Sequence, residues 1–434
     1  MISFGILSLL LLAGVGLRRK VTLFRKLYLP ASVIAGLIGL GVLQLPIWHR
    51  LSFRAEMTAG WSSLPGMLIN IVFAALFLGH ALPSARTLWH SSRRQLAYGQ
   101  IVAWGQYLVG GLVVWLCLKP LFGVEDLFAG VMPVGFEGGH GTAGGLAPVF
   151  DQLGAPYIKD FALSAATFGI LGAIIMGMAF IQWAARKGMV ERRLGSDIFE
   201  RTSAGTITIS SDIVGALTYH LALVGLAVLV GHIFKWGLQQ VADLLPDQAG
   251  VLFESFPLFP LCMLGGVVMR WVADKMGYAE LISEGLMMRV QNVALDYLVV
   301  AAIATIQIEV VAAGWLPLLI IVLSGMLWNA AVLCWIAPRV FKDAWFERAI
   351  AEMGQSMGVT ATGLLLLRTV DPDYETEAAS AFASKQLLHE PFMGGGLWTG
   401  MAIPLLALWG VLPIVGIAAG VMILWTIMLL VTKT

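Results

Sequence analysis

Long apolar runs separated by short polar stretches organise this chain. A helix needs about 20 apolar residues to cross the hydrocarbon core of a bilayer. Such runs extend from Ile2 to Leu17, Leu27 to Pro46, Leu64 to Leu82, Leu96 to Leu118 and Phe161 to Trp183. Further along they recur from Ile213 to Phe234, Phe256 to Met269, Val293 to Val311 and Trp315 to Ile336. The pattern also predicts a span over Ala378 to Thr399. An apolar tail from Met401 to Val431 is long enough for one tilted helix, or for two short ones broken near Gly410 and Pro413. The expected fold is therefore an all-α membrane protein with about 10–12 transmembrane helices.

Two segments interrupt this order, Leu127 to Leu153 and Phe346 to Leu367. Basic residues follow alternate spans: Arg18, Arg19 and Lys20, then Arg86, Arg93 and Arg94, then Arg186 to Arg201, then Arg270 and Lys275, then Arg339 and Lys342. Positive loops face the cytoplasm. That rule puts the N-terminus outside, the first irregular segment on the outer face and the second on the inner face. The expected organisation is a first repeat over residues 1–185 with a re-entrant hairpin at 127–153, a cytoplasmic linker at 186–212, and a second, inverted repeat over 213–399 with a hairpin at 346–367. Residues 400–434 are an addition to that plan. Inverted repeats with broken helices are a recurrent transporter design.

Composition sharpens this picture. The 434 residues are 59% hydrophobic and 12% charged, about half the charge density of a soluble domain. A net charge of +1 gives no reason to expect a nucleic acid as partner. Cys117, Cys262 and Cys334 lie inside apolar runs and read as small buried hydrophobes. Charge follows the first apolar stretch, the reverse of a secretory signal, so that helix is expected to stay in the membrane.

The first irregular segment reads Gly135-Phe136-Glu137-Gly138-Gly139-His140-Gly141-Thr142-Ala143-Gly144-Gly145, and the second Gly354-Gln355-Ser356-Met357-Gly358-Val359-Thr360-Ala361-Thr362-Gly363. One offset pairs Gly135 with Gly354, Gly139 with Gly358 and Gly144 with Gly363. Each glycine inside a helix costs about 1 kcal/mol relative to alanine. Unwound backbone at membrane depth must line a cavity, because hydrocarbon does not hydrogen-bond it. There, carbonyls and Thr hydroxyls suit a small cation, and exposed N–H groups suit an anionic substrate. The bland reading of the same glycines is close helix packing. His140 either holds the loop by bonding backbone or touches substrate.

Ionisable residues at membrane depth are functional candidates by default. Glu137 is one. Lys385 and His389 share a helix face four residues apart, with Glu390 beside them. Lys385 either neutralises a substrate carboxylate, pairs with Glu137, or is wet at an interface. Asp296, Gln307 and Glu309 fall in one expected span; Glu309, near its outer end, reads as solvated, and Asp296 is either interfacial and paired to Arg289 or a coupling site.

The chain resembles the bacterial sodium/glutamate symporter family. Gly138-Gly139-His140-Gly141-Thr142 is similar to that family's Gly-Gly-His-Gly-Thr signature. Ala166-Thr167-Phe168-Gly169, with Gly172 and Gly177, is similar to the helix after the signature. Gly354, Gly358, Thr360 and Thr362 match the spacing of the second-half loop. The resemblance implies a sodium-coupled importer of glutamate or a related small anion in the bacterial inner membrane. It also implies a homodimer whose hairpin-bearing domains move against a fixed scaffold, as an elevator. Substrate-binding residues would be Gly139, His140, Gly141, Thr142 and Thr167, joined by Glu137, Gln355, Ser356 and Lys385. Sodium would be held by Gly138, Thr142, Gly358, Thr360 and Thr362. Na+ is the coupling ion, and no other cofactor is implied. A proton-coupled carrier or exporter of another organic anion is the alternative, since Glu137, His140 and His389 can titrate. An enzyme is not expected: the sequence shows no paired carboxylates, ligand cluster or nucleophile motif.

Overall fold

The computed structural model describes residues 2–27, 29–45, 54–79, 85–189, 215–372 and 375–431. Among these, helices carry nearly the whole chain, and eight are long and apolar enough to cross a membrane. In the first half these are α1 (Ile2–Lys20), α3 (Arg54–Leu78), α4 (Ala85–Val113) and α8 (Ile158–Arg186), with the shorter α2 (Ala31–Leu43) after α1. Between α4 and α8 lie several short helical segments, among them α5 (Val131–Phe136), α6 (Gly139–Gly145) and α7 (Ala147–Gln152). The second half holds α9 (Ala216–Ala242), α10 (Leu258–Met276), α11 (Glu284–Ala304), α12 (Trp315–Ala331) and the broken α13 (Trp345–Val370). Then come α14 (Ala378–His389), α15 (Leu397–Trp409) and α16 (Val411–Val431).

The fourth span of each half ends alike. α4 runs into a π turn, Val114–Leu118, and α12 into another, Val332–Ile336. Pro120 follows the first and Pro338 the second. A proline ring clashes with the carbonyl four residues back, here Leu116 and Cys334, and widening the helix by a residue relieves it. The scaffold pairings are also reciprocal. α2 packs on α11, α3 packs on α10, and α3 and α11 pack on each other.

Two bundles result. α1, α2, α3, α9, α10 and α11 form one. α4, α8, α12, α13, α14 and α16 form the other, around α5 and α6. The outer faces are apolar: Leu226, Leu229, Ile233 and Trp236 on α9, and Ile423, Leu424, Ile427 and Leu430 on α16 are all exposed. A surface of that kind suits lipid, where internally bonded helices are the stable backbone form. α6 is one bridge between the bundles. Its Gly144 abuts Pro65 of α3 and Ala302 of α11, and Gly141 and Gly145 abut Ile69.

Several expected boundaries move. The run from Leu27 to Pro46 yields only the 13 residues of α2 within the described chain, because Pro30 sets the helix start. The span expected over Val293 to Val311 is α11, which begins at Glu284 and stops at Ala304. Gln307 then donates its backbone N–H to Asp160 Oδ1 at 3.3 Å, so Asp296 and Glu309 do not share a helix. The continuous span expected over Ala378 to Thr399 is not one helix. α14 ends at His389, residues 390–396 are irregular, and α15 starts at Leu397. Pro391 and Gly394-Gly395-Gly396 cause that break, since proline and glycine both disfavour helix interiors. α15 and α16 meet at Gly410, with φ +76°. Most of the expected linker, residues 190–212, lies outside the described residues.

Candidate functional site

Three breaks, not two, meet in the second bundle. α13 leaves helical geometry at Gly358 and at Val359, where φ is 61° and ψ is 172°. A β-branched residue there is strained by about 1–3 kcal/mol, a feature that clusters at functional sites. The chain doubles back at this point. A methyl group on Gly354 would lie 2.7 Å from Gly363 Cα, so the two arms touch. In the first break Gly139 takes φ +66°, which glycine adopts freely. A methyl group on it would lie 2.5 Å from Val359 Cγ1, so the two tips are in contact. The third break closes the triangle. Gly395, at φ +91°, abuts the Thr142 hydroxyl, and Thr360 Oγ1 donates to Glu390 Oε1 at 2.5 Å. Gln386 Nε2 lies 2.5 Å from Thr360 Oγ1 and 3.2 Å from Glu390 Oε1.

Behind the tips runs a buried polar network. Lys385 is fully buried and donates to Glu352 Oε1 at 2.5 Å, to Gln386 Oε1 at 2.8 Å and to Gln355 Oε1 at 3.2 Å. Glu352, also fully buried, accepts on its other oxygen from Gln95 Nε2 at 2.9 Å. Gly99 of α4 gives this pair its room, since a methyl there would lie 2.4 Å from Glu352 Oε1. Gln355 Nε2 donates to Glu137 Oε2 at 2.6 Å, and His389 Nε2 sits 3.3 Å from the same oxygen.

The protonation pattern of His389 follows from its neighbours. Trp104 Nε1–H can only donate, and it reaches Gln100 Oε1 at 2.9 Å. That orients the Gln100 amide NH2 toward His389 Nδ1, 3.2 Å away. Nδ1 therefore accepts, and the His389 proton sits on Nε2, facing Glu137. A similar argument fixes His140. Thr167 Oγ1 donates its single proton to Leu163 O at 3.1 Å, so His140 Nε2, 2.9 Å from that hydroxyl, carries the proton.

The structure thus joins Glu137, Gln355 and Lys385 in one network. Lys385 is neither wet nor paired with Glu137; it pairs with Glu352. Gly139 meets the second tip, and Thr360 meets Glu390. Gly138 packs on Thr142, and Thr362 donates to Gly358 O at 2.6 Å. Ser356 holds the second hairpin in place: its hydroxyl bonds Asn329 of α12, and its carbonyl accepts from Gln106 Nε2 at 2.6 Å. His140 and Thr167 form a separate pair toward α8, and Gly141 packs on Ile69 of α3. Glu352, Gln95, Gln100 and Gln106 complete the site and were not singled out from sequence.

No curated protein matches the chain. A family model for the sodium/glutamate symporters matches residues 1–375 of 434, including both hairpins. Lys385, His389, Glu390 and the third break lie beyond that stretch. A match over most of the chain, on an all-helical bundle with eight membrane-length helices, places this protein among membrane transporters: the chain belongs to the sodium/glutamate symporter family.

Proposed function

We propose that this protein couples the sodium gradient to uptake of glutamate, or of a related small acidic amino acid, by alternating access. The observation that carries the reading is the meeting of three helix breaks around Thr142, Val359, Thr360 and Glu390. Interrupted helices at membrane depth are where such carriers bind substrate and ions. Gly138, Thr142, Gly358, Thr360 and Thr362 supply hydroxyl and carbonyl oxygens for sodium. Glu137, Gly139, His140, Gly141, Thr142, Thr167, Gln355, Ser356 and Lys385 bind or frame the cargo.

The matching π turns and reciprocal scaffold contacts support an inverted repeat over 1–185 and 213–399. In that plan the second bundle carries the site and slides against the first, within a homodimer in the bacterial inner membrane, with the N-terminus outside. Purified protein in proteoliposomes should accumulate glutamate when sodium is high outside. Equal uptake with sodium absent from both sides would reject sodium coupling. Uptake driven by a pH gradient and indifferent to sodium would select the proton-coupled reading.

A further inference from the structure

The buried charges around Glu137 do not balance. Glu352 has both oxygens engaged, one by Lys385 and one by Gln95. Glu137 has Gln355 and His389 on Oε2, while its Oε1 is buried without a hydrogen-bond partner. Two carboxylates therefore share one ammonium, and His389, accepting on Nδ1, adds no charge. Glu390 is bonded by the neutral donors Thr360 and Gln386. Leaving a buried carboxylate uncompensated costs several kcal/mol. Glu137 is 3% exposed and sits at the tip of the first hairpin, two residues from the contact between Gly139 and Val359.

The groups bonded to Glu137 are donors: the Gln355 amide and the His389 Nε2–H. A sodium ion takes a shell of several oxygen acceptors, whereas both partners on Glu137 Oε2 are donors. An alkylammonium needs only one or two acceptors. Gln106 Oε1 is a second buried acceptor without a partner, on an amide tied to Ser356 beside Gln355. We propose that the Glu137 carboxylate receives the ammonium group of the cargo, so that the transporter selects amino acids over the corresponding deaminated acids. This rests on the reading that cargo binds at the hairpin tips.

The test uses purified full-length protein with saturating sodium and three matched pairs: L-glutamate and glutarate, L-aspartate and succinate, L-alanine and propionate. Binding is read by calorimetry or thermal shift. The wild type should prefer the amino acid of at least one pair about tenfold or more, and Glu137→Gln should erase that preference. A preference confined to alanine over propionate would support the ammonium site while ending the glutamate reading. No preference in any pair overturns the proposal. So does a preference that survives Glu137→Gln, or a variant whose only change is sodium affinity. Should Glu137→Gln not fold, Glu137→Asp replaces it: each preferred amino acid must weaken while its deaminated partner does not.

Discussion

In the bundle of α1, α2, α3, α9, α10 and α11, the buried His220 is bonded on both ring nitrogens. Nδ1 donates to Ala216 O at 2.7 Å, and Nε2 accepts from the Ser283 N–H at 2.8 Å. In the other bundle Glu137 Oε1, Gln95 Oε1, Gln106 Oε1 and Tyr107 OH are buried without hydrogen-bond partners, against Asn70 Oδ1 of α3 in the first. A cavity of about 1000 Å³ belongs to the first bundle, lined by Phe4, Leu7, Trp61 and Tyr297 and, among polar residues, by Arg289, Asn292 and Asp296. Volume therefore points to one bundle and most of the unpaired buried oxygens to the other. Buried polar groups are normally satisfied, so the exceptions carry information that volume does not. Such exceptions are concentrated in the second bundle.

The sharpest way to break that contrast is Lys385→Met. It leaves Glu352 charged, buried and without its cation, which costs about 3–5 kcal/mol. Thermal denaturation in detergent should show a large drop. The double variant Lys385→Met with Glu352→Met should recover most of it, because the orphaned charge is then gone. A single variant as stable as wild type would mean that the network is not energetically buried, and the distinction between bundles would fall.

A smaller effect tests whether the tips truly touch. Gly139→Ala puts a side chain at φ +66° and a methyl 2.5 Å from Val359 Cγ1. Strain of about 1–3 kcal/mol is expected, read as a lower melting temperature and weaker sodium-dependent glutamate binding. Adding Val359→Ala removes the contacted methyl and should recover part of the loss. Strictly additive effects would show that the two breaks act independently.

The first break was legible as a crowd of glycines, Gly138, Gly139, Gly141, Gly144 and Gly145, and the second as glycines at 354, 358 and 363 among Ser and Thr in an apolar run. Pro391 and Gly394-Gly395-Gly396 were as legible, yet the apolar length of 378–399 outweighed them in the expected span. Lys385 stood out as a charge in an apolar segment, but its partner did not. Glu352 lies four residues after Arg348 in a stretch that looks like an ordinary amphipathic surface. Arg348 in fact turns outward to Asp343, at 2.8 Å, and leaves Glu352 to Lys385. Gln95, Gln100 and Gln106 are spaced five and six apart, so they form no stripe on α4. That helix is packed on several sides, by α12, α14 and α16, and its polar residues reach different neighbours. Periodicity reports one face at a time, which is why such residues escape it.

The Asp343–Arg348 pair supplies the mildest test, as the rim counterpart of Lys385–Glu352. It lies in the loop after the α12 span, and the Asp343 side chain is 58% exposed. The hydrogen bond from Arg348, with burial opposing it, holds the Asp343 carboxyl below its ordinary value. A lowered folded value means the stabilisation is complete above the unfolded carboxylate range, about 3.9, and disappears as pH falls through the folded one. At this exposure, solvent screening limits it to about 0–1 kcal/mol. Asp343→Asn should thus lower the melting temperature slightly at pH 7, and the gap should close in acid and shrink in high salt. A gap at pH 7 as large as that of Lys385→Met would show that exposure does not separate the two pairs, and that the second bundle's ion pairs owe their strength to something other than burial.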